Sequence, residues 1–335
     1  MRRLVFATQK LDERDPILGA TVAKIRALAA RLDELVVLCD AADPELVIPG
    51  VRVHEFGGRN QLERGARFAR ALERELRPRP IAVVAHMVPL YVVVAAPLVR
   101  PRRIRLALWF AHWKDHVLVR AATALATDVL SVDTRSFPIA TPKLTAIGHG
   151  IDLAEFPCSE APAGDGPLRA LVLGRYSPAK GLETILRGAA LAGNVRIEAH
   201  GSVSADPAYG AHVRDLERLA AELGLDADLG GPVPRSEVPA LYAQSHVLIN
   251  NMRAGAPDKV VYEAAASCLP VLASNPIFDD LLPAELRFET DDADGLAARL
   301  RGLDRRRRPE LRERVAERHS VDHWADALLT TLQAR

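Results

Sequence analysis

Two short segments of the chain carry side chains suited to gripping an anionic, hydroxyl-bearing ligand. Gly174-Arg175-Tyr176-Ser177-Pro178-Ala179-Lys180-Gly181 follows an apolar run and opens a helical one. A helix start presents unpaired backbone N–H groups and the positive end of its dipole. Arg175 and Lys180 add two cations at that point, and their natural target is a phosphate or diphosphate. The choice of Lys is informative because the chain holds 38 Arg and only 6 Lys. The segment is no P-loop: Ala179 stands where the Gly before the Lys belongs, and Gly181 where a Ser or Thr should follow. The plain alternative is a solvated strand–helix turn.

The second segment is Pro257-Asp258-Lys259-Val260-Val261-Tyr262-Glu263-Ala264-Ala265-Ala266. Pro257 suits a first helical turn and Asp258 is favourable there. Lys259 and Glu263 share a helix face. Glu263 begins an apolar stretch, and a carboxylate entering a core needs partners such as sugar hydroxyls. A surface ion pair is the bland alternative. His86 and His112 each follow an apolar strand of the first half, where either suits a hydrogen-bonding or acid–base group facing a cleft. A structural histidine fits each equally well.

Several chemistries lack their residues. His112 and His116 are four apart with no third ligand, so no metal is expected. Gly148-His149-Gly150 has Leu153 where a dinucleotide fingerprint needs Gly. No Gly-x-Ser-x-Gly elbow occurs. Arg305–Arg308 reads as a solvated loop, and aromatic residues at 5% are too few for a nucleic-acid stacking surface. Cys39, Cys158 and Cys268 are odd in number and widely spaced, so reduced thiols and a cytoplasmic setting are expected.

The elements that must position these residues alternate. Strands are expected at Leu4–Ala7, Leu35–Leu38, Val51–Phe56, Ile81–Ala85, Ile104–Phe110, Val129–Val132 and Lys143–Ile147. A helix over Ile17–Leu32 puts Val22, Ile25, Leu28 and Leu32 on one face. After a Pro-, Gly- and Ala-rich linker at 157–167 the pattern restarts. Strands follow at Arg169–Leu173, Val195–Ala199, Val247–Asn250, Pro270–Ala273 and Leu286–Phe288. Helices lie at Ala179–Ala192, Ala208–Leu223, Ser236–Gln244, Lys259–Ser267 and Val321–Leu332. Such alternation means βαβ units on parallel sheets. The class is α/β, with two doubly wound Rossmann-like domains at 1–155 and 156–335. The last helix has no strand after it and is expected to pack elsewhere, for example on the first domain. Ligands of such sheets bind outside the carboxyl ends of the strands.

The formal net charge of +1 hides an asymmetry: residues 1–150 hold 23 Lys+Arg against 15 Asp+Glu. Arg64, Arg67, Arg70, Arg74 and Arg77 recur on one helical face. Peripheral contact with an anionic membrane is one reading and a solvated face the other. A spanning helix over Ile81–Val99 is disfavoured by His86, Pro89 and Pro97. A strand, a loop and a short packed helix fit that run better.

Together these residues resemble a GT-B fold glycosyltransferase of the retaining family 4 group, the glycosyl transferases group 1. Leu171-Val172-Leu173-Gly174-Arg175 with Lys180-Gly181 is similar to that family's Gly-Arg and Lys-Gly signature. Ala146-Ile147-Gly148-His149-Gly150-Ile151-Asp152 with Phe156 resembles its passage into the second domain. Glu263-Ala264-Ala265-Ala266-Ser267-Cys268-Leu269-Pro270-Val271 resembles its Glu-Ala-x-Ala-x-Gly-x-Pro-Val segment. The resemblance implies two domains facing across a cleft and metal-independent hexosyl transfer from a nucleoside-diphosphate sugar, with no other cofactor. The acceptor stays open among glycan, lipid and small molecule. A non-catalytic nucleotide-sugar-binding module and a nucleotide-sugar epimerase are the alternatives. By resemblance Gly19, Gly174, Arg175, Lys180, Lys259, Val260 and Glu263 bind the donor, Glu263 at the ribose hydroxyls. His112, Arg175 and Lys180 are the catalytic set. Two departures stand out: Gly255 where many members carry a second Glu, and Cys268 where they carry Gly. Backbone amides over Ala254–Asp258 are expected to substitute for that Glu.

Overall fold

The computed structural model describes residues 2–15, 18–203, 207–252 and 255–333, the side chains of 207–209 aside. The chain divides into two compact units, 1–152 with 318–335, and 153–317.

The first unit alternates β1 (Arg3–Leu11), α1 (Ala20–Ala29), β2 (Glu34–Ala42), β3 (Val51–Glu55), α2 (Gln61–Glu75), β4 (Ala82–His86), α3 (Pro89–Val99), β5 (Arg105–Trp109), α4 (Val117–Leu125), β6 (Asp128–Ser131) and β7 (Leu144–Ala146). The sheet is parallel in the order β3-β2-β1-β4-β5-β6-β7. Its central strands are apolar and buried on both sides, as a covered parallel sheet requires. Helices α2, α3 and α4 close one face, where Phe68 and Leu72 of α2 enter the core one turn apart. Asn60 caps α2 by accepting from Glu63 N–H at 2.9 Å. All seven strands expected here are present. The run 81–99 forms β4 and α3, and no helix of the described residues is long and apolar enough to cross a membrane. The arginine stripe on α2 is partly neutralised: Arg64 meets Asp40 at 3.4 Å and Arg67 meets Glu63 at 2.7 Å.

The second unit carries β8 (Leu168–Leu173), α5 (Leu182–Ala192), β9 (Val195–His200), α6 (Pro207–Glu222), β10 (Ala227–Gly230), α7 (Val238–Gln244), β11 (Val247–Asn250), α8 (Lys259–Ala266), β12 (Val271–Ala273), α9 (Ala293–Arg301) and α10 (Pro309–His319). Its sheet is parallel in the order β10-β9-β8-β11-β12. Two expectations fail here. Leu286–Phe288 is no strand; a 3-10 turn at Ala284–Leu286 and one bridge from Arg287 to Ala273 replace it. The edge strand is β10 instead, four partly exposed residues whose single large apolar side chain leaves no apolar run to read. The last helix, α11 (Val321–Gln333), packs on α1 within the first unit. There Arg31 bonds to Asp322 at 2.9 Å and to Asp326 at 2.7 Å.

The cysteines also depart from expectation. Cys158 and Cys268 form a disulfide, with Cα atoms 5.1 Å apart despite 110 residues of sequence separation. Cys39 is free and buried. The Arg305–Arg308 run is more than a solvated loop: Arg307 donates to Ala243 O at 2.7 Å and to Ser245 O and Ser159 O at 3.1 Å.

Two histidines of the first unit tie its stability to pH. Burial, then Arg318, holds His319 down at about 4. Burial, then Lys24, holds His86 well below its ordinary value. Both therefore fold neutral, while the unfolded chain takes up protons below about pH 6.5. Stability is full above that pH and falls as pH drops towards 4, by about 3 kcal/mol from His319 alone at 1.36 kcal/mol per pH unit. Trp109, Trp113 and Trp324 all lie in this unit, so urea titration followed by fluorescence reads it selectively. His319→Gln is expected to flatten the slope between pH 6.5 and 4.5; an unchanged slope would refute the assignment.

Candidate functional site

Each sheet reverses its strand order once, and the crevice at such a point is where doubly wound sheets hold ligands. In the second unit the reversal falls between β8 and β11, so the loops after these strands are neighbours. Those loops hold Gly174–Gly181 and Asn250–Asp258.

The loop after β8 is fixed from below. Tyr176 is buried, and its hydroxyl lies 2.9 Å from Ala199 O and 2.8 Å from Gly230 O, donating between them. With Tyr176 turned inward, the adjacent Arg175 is exposed. Gly174 has φ +135°, and a Cβ there would strike the ammonium end of Lys180. The positive φ is what calls for glycine here, and the absent Cβ leaves room for the Lys180 ammonium. Lys180 is 13% exposed and forms an ion pair with Asp258. Asp258 also accepts from Asn250 Nδ2 at 2.8 Å. Behind the loop, Asn251 donates to Gly181 O at 3.2 Å and to Asp291 Oδ1 at 3.0 Å, and accepts from Ser274 Oγ at 2.8 Å. Strand ends β8 and β11 are therefore locked together around Lys180.

One turn further along α8, Glu263 is 4% exposed. Its Oε1 accepts from Arg235 Nη1 at 3.0 Å and meets Lys259 Nζ at 3.3 Å. Its Oε2 accepts from the Tyr242 hydroxyl at 3.4 Å. Arg235 reaches back to Glu155 at 2.6 Å and lies over the Phe156 ring at 5.6 Å. Burial would lower the Arg235 pKa, but Glu263 and Glu155 outweigh it and the value is raised. Burial raises the Glu155 carboxyl and keeps Tyr242 protonated. Val260 O lies 3.3 Å from the Tyr242 hydroxyl, which shares its one proton between the two acceptors near the start of α8.

The structure thus brings Gly174, Arg175, Lys180, Lys259, Val260 and Glu263 to one end of the second unit's sheet. Gly19 and His112 belong to the first unit. Gly19 caps α1 with φ −54°, a backbone any residue adopts. His112 is half-buried after β5, its Nδ1 accepting from Lys114 N–H at 3.0 Å and its ring stacked on Trp113 at 5.7 Å. His86, the other candidate histidine, is 3% exposed, stacks on Trp109 at 4.8 Å and meets Thr8 Oγ1 at 3.2 Å, with no described partner at Nε2. Of the amides expected to substitute at 254–258, Ala254 lies outside the described residues. In the sequence Asp258 is marked only as a favourable helix-start residue and Asn250 only as a strand end, and Arg235, Glu155 and Tyr242 are not marked. A pairing rule, that each cation near a core must find a carboxylate, points to Glu155 and to the partner role of Asp258.

Elsewhere in this unit a cavity of about 430 Å³ lies beyond β12, lined by Ser274, Asn275, Arg287, Glu289, Asp292 and Arg299 among others. None of the nominated donor residues lines it. Among the described residues no group of three His, Cys, Asp or Glu side chains is placed to hold a metal ion.

Residues 159–318 match the model of the family Glycosyl transferases group 1. Whole-chain similarity then defines the fold as GT-B. Sucrose-phosphate synthase from Thermosynechococcus elongatus is 18% identical with a TM-score of 0.77 over 100% of this chain and 99% of its own. Anabaena HepE in complex with UDP-glucose is 16% identical with a TM-score of 0.76, covering 100% of both chains. A glycosyltransferase from Rickettsia africae is 13% identical with a TM-score of 0.74, over 99% of this chain and 98% of its own. No curated protein matches the sequence.

Proposed function

We propose that this protein is a retaining, metal-independent glycosyltransferase that takes a nucleoside-diphosphate sugar at the β8–β11 reversal of its second unit. The observation that carries the reading is the convergence there of Arg175, Lys180 and Glu263 in a region that matches the glycosyl transferases group 1 model. Arg175 and Lys180 meet the diphosphate. Glu263, with Oε1 tied by two cations, presents Oε2 to the ribose hydroxyls. As the sugar–phosphate bond breaks, negative charge grows on the departing diphosphate. Fixed cations and helix-start N–H groups aimed at that charge lower the barrier by several kcal/mol, about 2.7–4 for a single well-placed donor. Lys259 and Val260 join the donor set at this end of the second unit, and the family resemblance also implies roles for Gly19 and His112 of the first.

The experiment is calorimetric titration of the whole chain with UDP, GDP, ADP and dTDP, followed by assay of the matching labelled sugar nucleotide for transfer or hydrolysis. One nucleoside diphosphate is expected to bind saturably and its sugar nucleotide to turn over. A folded protein that binds none of the four sinks the reading. Interconversion of the donor sugar without acceptor would replace it by epimerisation.

Peripheral contact with an anionic bilayer belongs to the same proposal. Leu62 at the start of α2 is 88% exposed beside the arginine-bearing face of that helix. Co-sedimentation with vesicles of anionic lipid, and none with zwitterionic vesicles, is the expected result; equal behaviour ends the idea.

A further inference from the structure

Asp258 stands at the N-cap of α8 and does not cap it: its side chain makes no hydrogen bond to the first-turn N–H groups. An aspartate in that position ordinarily does so. Here the carboxylate turns away to Lys180 and to Asn250 Nδ2, both on one oxygen, Oδ2. Asn250 adds a second anomaly. It is 3% exposed, and no described residue donates to its Oδ1. The amide cannot be reversed, because a carboxylate only accepts and so demands the NH2 side. An orphaned buried acceptor costs free energy unless a ligand or water satisfies it. An acceptor without a described partner, Asn250 Oδ1, thus belongs to the amide that bonds Asp258, and Asp258 pairs with the ammonium that the proposed function gives to the diphosphate.

These acceptors fit hydroxyl donors and reject anions. In a sugar nucleotide the hydroxyl-rich group beyond the diphosphate is the transferred sugar. Spacing agrees: Asp258 and Glu263 are five residues apart, about 7.5 Å along a helix axis. A diphosphate held between a ribose at Glu263 and a sugar at Asp258 spans a gap of that order.

Resting on the donor-site reading, we propose that Asp258, together with Asn250 Oδ1, accepts hydrogen bonds from hydroxyls of the donor sugar and so determines which sugar is taken. Lys180 has three N–H donors and serves Asp258 and a phosphate oxygen together. Asp258 also holds Lys180 in place before the ligand arrives.

The test compares two affinities in Asp258→Asn, which keeps size and shape. The probes are the best-bound of UDP-, GDP-, ADP- and dTDP-glucose and the corresponding diphosphate. The variant is expected to bind the sugar nucleotide about tenfold more weakly, while the bare diphosphate binds as well or better because Lys180 has lost its counter-charge. Asp258→Glu should restore part of the preference. Equal weakening of both probes means a purely structural role, and equal tightening means mere competition for Lys180; either outcome overturns the proposal. A wild-type chain that binds no diphosphate instead sinks the donor site itself, and this inference with it.

Discussion

Arg175→Ala should cut affinity for the bound nucleoside diphosphate by about ten- to a hundredfold, since a hydrogen bond to a charged group is worth roughly 1.5–3 kcal/mol. Arg175 is exposed, so its removal leaves no buried charge unpaired and the thermal midpoint should hold. Its exposure also makes the contribution sensitive to salt, because charges near water are screened within about 8 Å at physiological ionic strength. Lys180→Ala is a different experiment. Lys180 and Asp258 are both largely enclosed, at 13% and 16% exposure, and truncation strands the carboxylate. The loss of stability that follows is relieved in Lys180→Ala/Asp258→Asn, which removes both charges. Combining Arg175→Ala with Lys180→Ala is expected to abolish measurable diphosphate binding, at temperatures where circular dichroism shows the fold intact. A folded double variant that binds as wild type would falsify the cation pair as the diphosphate grip.

The two cations were legible in the sequence because they lie on one continuous loop after an apolar strand. Glu263 was legible because an apolar stretch of helix follows it. The first sheet was equally open to reading: its central strands are buried on both faces and therefore appear as uninterrupted apolar runs. What escaped is what folding brings together from afar. Asp258 reaches Lys180 across 78 residues and Arg235 reaches Glu155 across 80. Cys158 meets Cys268 across 110. No local periodicity encodes such pairs. The choice between the two readings of His86 also turns on distant residues. A histidine at a strand end suggests a ligand-facing group, but Phe6 and Trp109 enclose His86, and Trp324 of the distant α11 packs against both rings. The short strand β10 failed for a different reason: at a sheet edge only one flank pairs, and four half-exposed residues carry little pattern.

Arg235→Ala is the substitution expected to cost the second unit most. The guanidinium is 11% exposed and joins Glu263, 4% exposed, to Glu155 on the segment that leads into the unit. Taking one partner from a buried ion network costs about 3–5 kcal/mol, because the remaining charges have already lost their water. Glu155 is 28% exposed, which places the expectation at the lower end, about 3 kcal/mol. Arg312 donates to Leu153 O at 3.0 Å and also holds Phe156 O and Ala266 O, so the segment stays attached to α8 without Arg235. The damage is therefore electrostatic, and pH reveals it. Burial and then, with Arg235 gone, Glu263 raise the folded-state pKa of Glu155, with only Lys259 left to oppose them. A raised carboxyl pKa gives stability that is present below the unfolded value, near 4.5, and is lost as pH rises through the folded value. The gap between wild type and Arg235→Ala should accordingly narrow from pH 7.5 to pH 4.5. Calorimetry is the right reporter, because every tryptophan lies in the other unit. Arg235→Lys keeps the charge but not the fork that spans two carboxylates, so it should recover only part of the stability. A gap that stays constant with pH would show that Arg235 contributes by packing on Phe156 rather than by pairing with Glu155 and Glu263.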